Sequence, residues 1–224
     1  MKRLSGIILT LIAALVLSAA QTHADSHLSL QYQEAMGDTI RMRHFLVESN
    51  GNGVAIQSSR ADDWIFTECD ASGNTRSWHV DKEKSDYFAV RDGNTIRING
   101  SLKGEPVDKE LEKDGLPWFQ SLYYSLSRFV KSDKEEIRFW MIRPDNLSLV
   151  KLVATKKAVE TIRVNGRKET TQKVRISATG LLSLLWHGHY WYRQHDGVLL
   201  QYKDGKALPG RAKISMYLSQ AENS

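Results

Sequence analysis

The chain has 224 residues, of which 41% are hydrophobic and 25% charged, and its net charge is +5 at pH 7. Because Cys69 is the only cysteine, an internal disulfide is excluded and burial of apolar side chains must hold the fold, for which this length suffices. Basic and acidic residues are interspersed and no polybasic block occurs, which argues against a nucleic-acid-binding function.

The first predicted element is an export signal over residues 1–24. Lys2 and Arg3 precede an apolar run over residues 7–17, and small residues then precede a cleavage position after Ala24. A second candidate cleavage position follows Ala20. The run is shorter than the ~18 residues of a membrane span, and an uncleaved anchor is the alternative. We therefore expect a periplasmic protein in which residues 25–224 form a single β-rich domain.

Short strands dominate residues 28–98, where polar and apolar side chains alternate with a period of two. Turn-forming pairs such as Asp92-Gly93 separate them. These strands are predicted over residues 29–33, 40–47, 54–56, 64–69, 75–80, 87–91 and 95–98. Residues 40–47 alternate between two faces, one with Ile40, Met42, His44 and Leu46 and the other with Arg41, Arg43, Phe45 and Val47.

The pattern changes after residue 101. Residues 103–115 are charged and lack an apolar face, which predicts an exposed connection or the edge of a lid. Pro117 suits the first turn of a helix, and apolar side chains then recur at spacings of three and four, which predicts one amphipathic helix over residues 117–130. The apolar stripe comprises Trp118, Phe119, Leu122, Tyr123, Leu126, Phe129 and Val130.

The period of two returns after the helix. Strands are predicted over residues 137–143, 149–154, 159–164, 170–176, 186–193, 198–202 and 213–218. The predicted fold class is therefore mainly β: a strongly curved antiparallel sheet of about ten strands, in the form of a half-barrel or open barrel, covered by one amphipathic helix.

Residues 186–193 form the densest cluster of aromatic and histidine side chains in the sequence. Because successive residues of a strand point to opposite faces, Tyr190 and Tyr192 share a face with Trp186, which is either core or a binding wall. Together with the helix stripe, this face gives the predicted ligand-binding set. Its members are Trp118, Leu122, Leu126, Trp140, Trp186, Tyr190 and Tyr192.

The opposite face of the same strand carries His187 and His189, which would ligate a transition metal only with a third ligand from elsewhere. The sequence identifies no such ligand, so no metal site is predicted. It also contains no nucleophile elbow, no phosphate-binding glycine loop and no metalloprotease helix motif. We expect a protein that is not an enzyme and needs no cofactor, and a metal-dependent enzyme using His187 and His189 is the least favoured alternative.

Three stretches in the second half of the chain resemble a family of uncharacterised exported bacterial proteins. They are Glu-x-Ile-x-Val-x-Gly at residues 160–166, Lys-Val-x-Ile at residues 173–176 and Trp-Tyr-x-x-x-Asp-Gly-x-Leu-Leu at residues 191–200. The resemblance implies a fold of the lipoprotein-carrier type, which is a curved antiparallel half-barrel with helices that plug its mouth. It also implies a role in handling amphiphiles or lipoproteins, without catalysis.

The favoured function is binding of a hydrophobic or amphiphilic ligand, or of a lipid-modified envelope partner, between the predicted helix and the aromatic strand. The alternative is a structural or assembly factor of the cell envelope that acts through protein contacts and holds no ligand. In either case the protein would be at most peripheral to the membrane. A large apolar pocket beneath residues 117–130 favours ligand binding, whereas a solid core favours the assembly role.

Overall fold

The computed structural model describes residues 26–49, 51–180, 186–206 and 214–223. The predicted export signal and both candidate cleavage positions lie outside these residues. Among the described residues, neither helix has the length and apolar content that crossing a membrane would require.

Fourteen antiparallel strands form one sheet in the described part of the chain. The first meander comprises β1 (Ser26–Met36), β2 (Thr39–Ser49), β3 (Gly53–Arg60), β4 (Asp63–Asp70), β5 (Thr75–Lys82), β6 (Ser85–Asp92), β7 (Thr95–Leu102) and β8 (Glu105–Glu112). The second comprises β9 (Glu136–Ile142), β10 (Leu149–Val164), β11 (Arg167–Ala178), β12 (His187–Arg193), β13 (Leu199–Lys206) and β14 (Ile214–Asn223). Because β14 pairs with β1, the two meanders join in the middle of the sheet, and β8 and β9 are its edges.

The mainly β, antiparallel architecture is confirmed, but the strand count of about ten is too low. Residues 105–112, predicted as an exposed connection, form β8 and pair with β7 along its length. Only Val107 and Leu111 of β8 contact the apolar interior, so the strand carries too little apolar alternation to be recognised. Conversely, residues 149–164 form the single strand β10, which has a bulge between Lys156 and Val159.

The predicted helix over residues 117–130 is confined to two short helices, α1 (Leu122–Ser125) and α2 (Ser127–Lys131). The preceding residues are extended because the sheet supplies their backbone partners. The Phe119 N–H donates to the Trp140 carbonyl of β9 and the Thr75 N–H of β5 donates to the Trp118 carbonyl, each at 2.8 Å. Neighbouring extended residues point to opposite sides, so Trp118 and Phe119 enter two different apolar clusters.

The sheet curls until its two halves meet. The extended segment before α1 bonds to both β5 and β9, and Lys103 Nζ donates to the Asp145 carbonyl across 3.1 Å. The first apolar cluster joins both helices to β1–β4 and β9–β14, and the second joins β5–β7 to β9 and the turn after it. Antiparallel pairing places the turns after β1, β3, β5, β7 and β9 at one end of the sheet, called the mouth end below.

The two helices close the opposite end. Gly73, in the turn between β4 and β5, has φ +85°, and a Cβ added there would lie 3.1 Å from the Ser125 carbonyl oxygen of α1. Gly197, in the turn between β12 and β13, has φ +79° and would place a Cβ 2.8 Å from Ser127 Cβ of α2. Both positions need glycine for the backbone conformation and for the close approach of a helix. The interior is therefore plugged at this end and accessible at the mouth end.

A candidate ligand-binding cavity at the mouth end

A cavity of 850 Å³ occupies the interior between the mouth end and α1. Its volume lies in the range of about 300–1,000 Å³ that is typical of small-molecule sites. Gln120, Ser121 and Tyr123 from the segment around the start of α1 form its floor. The first part of the segment over residues 117–130 therefore borders a pocket, and the remainder covers a solid core.

Aromatic packing fixes the floor. The Tyr123 ring lies 4.4 Å from the Phe45 ring and 5.7 Å from the Tyr32 ring, centroid to centroid. The Tyr123 hydroxyl lies 3.2 Å from Met216 Sδ. Beside it, the Gln120 amide accepts from the Ile142 N–H and donates to the Ile142 carbonyl, both at 3.0 Å. The polar groups at the floor thus have partners within the protein, and a ligand need not satisfy them.

Apolar side chains dominate two facing walls. One wall belongs to β4–β7, where every second residue points inward, and the other to the end of β9 and the following turn. The inward residues of these walls include Ile65, Val80, Tyr87, Leu102, Met141 and Ile142. Such walls suit a ligand with an extended apolar part.

The remaining wall carries a charged network from β1–β4. Arg43 donates from Nε to Glu34 Oε1 at 2.7 Å, from Nη1 to Ser58 Oγ at 2.9 Å and to Asp63 Oδ1 at 3.0 Å. Arg60 also donates to the Asp63 carboxylate and lies 3.5 Å from Glu34 Oε2. Burial alone would raise the pKa of the Asp63 carboxyl, but the hydrogen bond and charge of Arg43 outweigh it and hold this pKa below its ordinary value. Two guanidinium groups and two carboxylates balance, so the wall is neutral overall.

The rim at the mouth end is basic. Lys82 is the last residue of β5, Lys84 lies in the turn between β5 and β6, and Lys103 lies in the turn between β7 and β8. The two turns are joined, since the Gly104 N–H donates to the Lys84 carbonyl at 2.7 Å and the Lys103 N–H to Ser85 Oγ at 2.9 Å. All three lysines are exposed. The cavity is therefore apolar along two walls and cationic at its rim.

None of the seven side chains predicted to bind a ligand lines this cavity. Trp118 is fully buried in the second apolar cluster, and Leu122 and Leu126 are buried in the first. The Tyr192 hydroxyl donates to the Leu122 carbonyl at 2.9 Å, and the Tyr190 ring packs 4.6 Å from the Tyr202 ring. The structure thus brings the helix stripe and the aromatic strand together, as core.

The other two tryptophans of this set, Trp140 and Trp186, lie elsewhere. Trp140 Nε1 donates to Asp114 Oδ1 at 2.7 Å, with Lys151 Nζ 4.6 Å from the ring. Trp186 is half-buried, and its Nε1 lies 3.3 Å from Asp204 Oδ1. Direct ligand contact by any of the seven stays a prediction. In the sequence, the pattern that could have identified the charged wall is the alternation in β2, which places Arg43 on the same face as Phe45.

His187 and His189 share one face of β12, as predicted, with ring centroids 5.3 Å apart. No group of three His, Cys, Asp or Glu side chains within the described ranges could hold a metal ion. The Gly205 backbone packs against the His187 ring, and a Cβ there would lie 2.2 Å from Nε2. Burial, followed by the charge of Lys173, lowers the pKa of His189, so the neutral imidazole is favoured.

Cys69 is buried at the end of β4, at the closed end of the sheet. Burial raises the pKa of its thiol to about 11. The thiol is therefore protonated at neutral pH and is a poor nucleophile. This agrees with a packing role.

Structural comparison relates the fold to solved proteins. A β-barrel-like protein of domain of unknown function DUF1849 from Brucella abortus matches with a TM-score of 0.62 at 10% identity, over 88% of this chain and 98% of that one. Weaker similarities are to the hypothetical lipoprotein YmcC from Escherichia coli (TM-score 0.42, 12% identity, 87% of this chain and 84% of that one) and to a LolA superfamily protein from Nitrosomonas europaea (TM-score 0.24, 9% identity, 88% and 85%).

No protein-family model matches the sequence, and no curated protein matches it. The DUF1849 protein is of the kind that the sequence resemblance implied, a bacterial protein of unknown function. The resemblance is thus confirmed for the fold, and the chain shares its architecture with the DUF1849 protein.

Proposed function

We propose that this protein binds a hydrophobic or amphiphilic ligand, without catalysis, in the cavity at the mouth end. The observation that carries the proposal is the cavity itself: 850 Å³ in volume, with two facing apolar walls and the Tyr123 ring at its floor. Interiors of folded domains are normally packed with few voids larger than a water molecule. A preformed apolar space of this size is a feature that ligand-binding proteins have and solid cores lack.

Burial of apolar surface would drive binding. Each methylene group that leaves water for the cavity contributes about 0.8 kcal/mol. The walls require little rearrangement, because the floor is fixed by Tyr123 and Phe45 and the charged wall by Arg43 and Asp63. Such preorganisation lowers the entropy cost of binding.

The proposal depends on the cavity and not on the neighbours, since the protein whose fold is shared is itself of unknown function. The residues predicted from the sequence have a supporting part in it. Leu122 and Tyr192 hold α1 against β12 and thereby support the floor. Together with the predicted export signal, this gives a periplasmic protein that meets an apolar ligand, or the lipid moiety of an envelope partner, in the envelope.

The second candidate function is the envelope assembly role, and one observation favours it. Trp64 and Phe66 lie on the outer face of β4, opposite to the inward Ile65, and their rings stack with centroids 5.8 Å apart. Phe88 on β6 is 43% exposed beside them, with the His79 ring between the two strands. An exposed aromatic group of this kind suits a protein contact.

A titration with the neutral probe N-phenyl-1-naphthylamine tests the proposal. The purified protein should enhance probe fluorescence with saturable, one-site behaviour. Ile65→Trp narrows the cavity from the β4 wall and should weaken the enhancement. Phe66→Trp places the same side chain at the next position on the outer face and should leave it unchanged. The absence of binding by the wild-type protein, or equal loss in both variants, would overturn the proposal.

A further inference from the structure

We infer that the ligand is an anionic amphiphile, whose acidic headgroup lies at the rim beside Lys82, Lys84 and Lys103 and whose apolar tail extends to the aromatic floor. The inference rests on the proposed function and adds the chemistry of the ligand and its orientation. Three features of the cavity carry it: the construction of the basic rim, the balance of charges inside, and the path between rim and floor.

The rim is built by two turns that hold each other. Hydrogen bonds from the Gly104 N–H to the Lys84 carbonyl, 2.7 Å, and from the Lys103 N–H to Ser85 Oγ, 2.9 Å, fix the turns side by side. Glu83 and Lys103 both have left-handed backbone conformations, with φ of 51° and 57°. The lysines therefore project from a defined backbone.

Charge is uncompensated at this rim. Neither the Lys82 nor the Lys84 ammonium has a salt bridge or hydrogen bond to any described residue. The Lys103 ammonium donates to the Asp145 backbone carbonyl, which leaves its charge unneutralised. Glu83 is the only carboxylate within these two turns. An anionic group beside the lysines would complete the balance.

The other charges that line the cavity are already matched. Arg43 and Arg60 are paired with the carboxylates of Glu34 and Asp63. A headgroup that entered this network would have to displace a carboxylate from a buried guanidinium, which is strongly unfavourable. Arg60 Nε has no hydrogen-bond partner, but it lies 3.5 Å from Asp62 Oδ1, so the charge of Arg60 is matched and the network has no net charge to attract a second anion.

Two further carboxylates near the mouth are also paired with guanidinium groups. Arg41 Nη1 lies 3.4 Å from Asp62 Oδ2, and Arg143 Nη2 lies 2.6 Å from Asp145 Oδ2. Asp62 also lies 3.5 Å from Arg60 Nε, so the arginines of this wall are matched by carboxylates, as Arg143 is by Asp145. The excess positive charge is thus confined to the lysines of the joined turns, which fixes the position of the headgroup.

The path from rim to floor is apolar. Lys82 and Trp78 belong to the same strand, about 13 Å apart at the rise of an extended chain. Val80 lies between them and faces the cavity, and Met141 faces it from the opposite side. A ligand with its headgroup at Lys82 would therefore direct its tail along this wall towards Tyr123. A neutral apolar molecule would use the path without using the lysines.

Competition by two ligands of equal chain length tests the inference. Dodecanoate and dodecanol would each displace bound N-phenyl-1-naphthylamine, at a mildly alkaline pH where the carboxylate is ionised. At low ionic strength we expect dodecanoate to bind about tenfold more tightly than dodecanol, as three partly screened ion pairs allow. Added salt should reduce the difference, because exposed charges are screened.

Substitutions then locate the charge. The combined variant Lys82→Gln, Lys84→Gln, Lys103→Gln should bring dodecanoate to the affinity of dodecanol and leave dodecanol unchanged. The control Lys134→Gln, Lys157→Gln, Lys168→Gln removes the same charge from exposed sites away from the cavity and should retain the preference. Circular dichroism verifies folding of both variants.

The outcomes separate the two proposals. Equal affinities of the wild-type protein for the two competitors, or a preference that survives in the rim variant, would overturn the anionic headgroup and leave apolar binding intact. If both variants lost the preference for dodecanoate equally, the overall charge of the protein and not the rim would be responsible. This result would also overturn the inference. Failure of the protein to bind probe, dodecanoate and dodecanol would overturn the proposed function together with the inference.

Discussion

The Tyr192 hydroxyl donates a hydrogen bond to the Leu122 backbone carbonyl across 2.9 Å and so connects the aromatic strand to the helix that forms the cavity floor. Tyr192 is fully buried, and burial raises the pKa of its hydroxyl, which stays protonated and able to donate. We expect Tyr192→Phe to destabilise the protein by about 1–3 kcal/mol, because the Leu122 carbonyl loses its partner in a buried site. Urea unfolding measures the loss. Tyr217→Phe, on an exposed ring, is the control and should change stability by less than about 0.5 kcal/mol.

The buried charge network predicts a larger effect. Arg43→Met leaves Glu34 and Asp63 without their main buried partner and should cost about 3–5 kcal/mol. Arg41→Met, on the same face of β2, breaks only the half-exposed pair with Asp62 and should cost about 0–1 kcal/mol. Denaturant titration of both variants gives the comparison, and equal costs would contradict the account of the charged wall.

The same network predicts acid sensitivity. The folded state holds the pKa of Asp63 below 3.8, its ordinary value. The ionised carboxylate therefore contributes stability that is fully present above the unfolded-state pKa and is lost as the pH falls through the lower, folded-state pKa. The contribution of this carboxylate to the free energy of unfolding should be constant above about pH 5 and should decrease on acidification. Asp63→Asn should have lower stability at neutral pH and a shallower acid decline, whereas an unchanged decline would assign it to other carboxylates.

Because the helices close the end of the sheet opposite the mouth, alanine substitutions at two glycines should lower the free energy of unfolding by different amounts. Gly93 has φ +59° with nothing within 4 Å of an added Cβ, so Gly93→Ala should cost only the backbone strain, about 1–3 kcal/mol. Gly73→Ala adds the approach to the Ser125 carbonyl at 3.1 Å and should cost more. Thermal unfolding of the two variants is the measurement. Equal transition temperatures would argue that α1 yields easily at this contact.

The thiol offers a further test of burial at the closed end. Because burial raises the pKa of Cys69 to about 11, iodoacetamide should modify the native protein very slowly at neutral pH and the urea-unfolded protein rapidly. Mass spectrometry follows the reaction. Rapid modification of the native protein would show that the end of the sheet near α1 opens.

Much of the sheet could be predicted from local sequence. Asp92-Gly93 forms a turn as predicted and Asn165-Gly166 forms another, with positive φ at Gly93, Asn165 and Gly166. The alternation in β2 also separates the two faces correctly, but hydrophobicity alone would bury the wrong one. Arg43 and Phe45 point inward and Ile40 is 62% exposed.

The reasons for the remaining differences are long-range. Arg43 can be buried only because Glu34 and Asp63 arrive from neighbouring strands. Trp118 has helical spacing from Leu122, yet it is extended because Thr75 and Trp140 supply backbone contacts from distant parts of the chain. Whether an apolar face encloses a solid core or a cavity depends on how both halves of the sheet curl, which periodicity does not encode.

The most direct test of the central claim is a titration of the isoleucine methyl resonances with dodecanol by NMR. Ile65 and Ile142 line the cavity, Ile176 is buried in the first apolar cluster, and Ile40 lies exposed on the outer face. The cavity account predicts saturable shifts for Ile65 and Ile142 and none for Ile176 or Ile40. Shifts confined to Ile40, or no shift at any of the four, would contradict it.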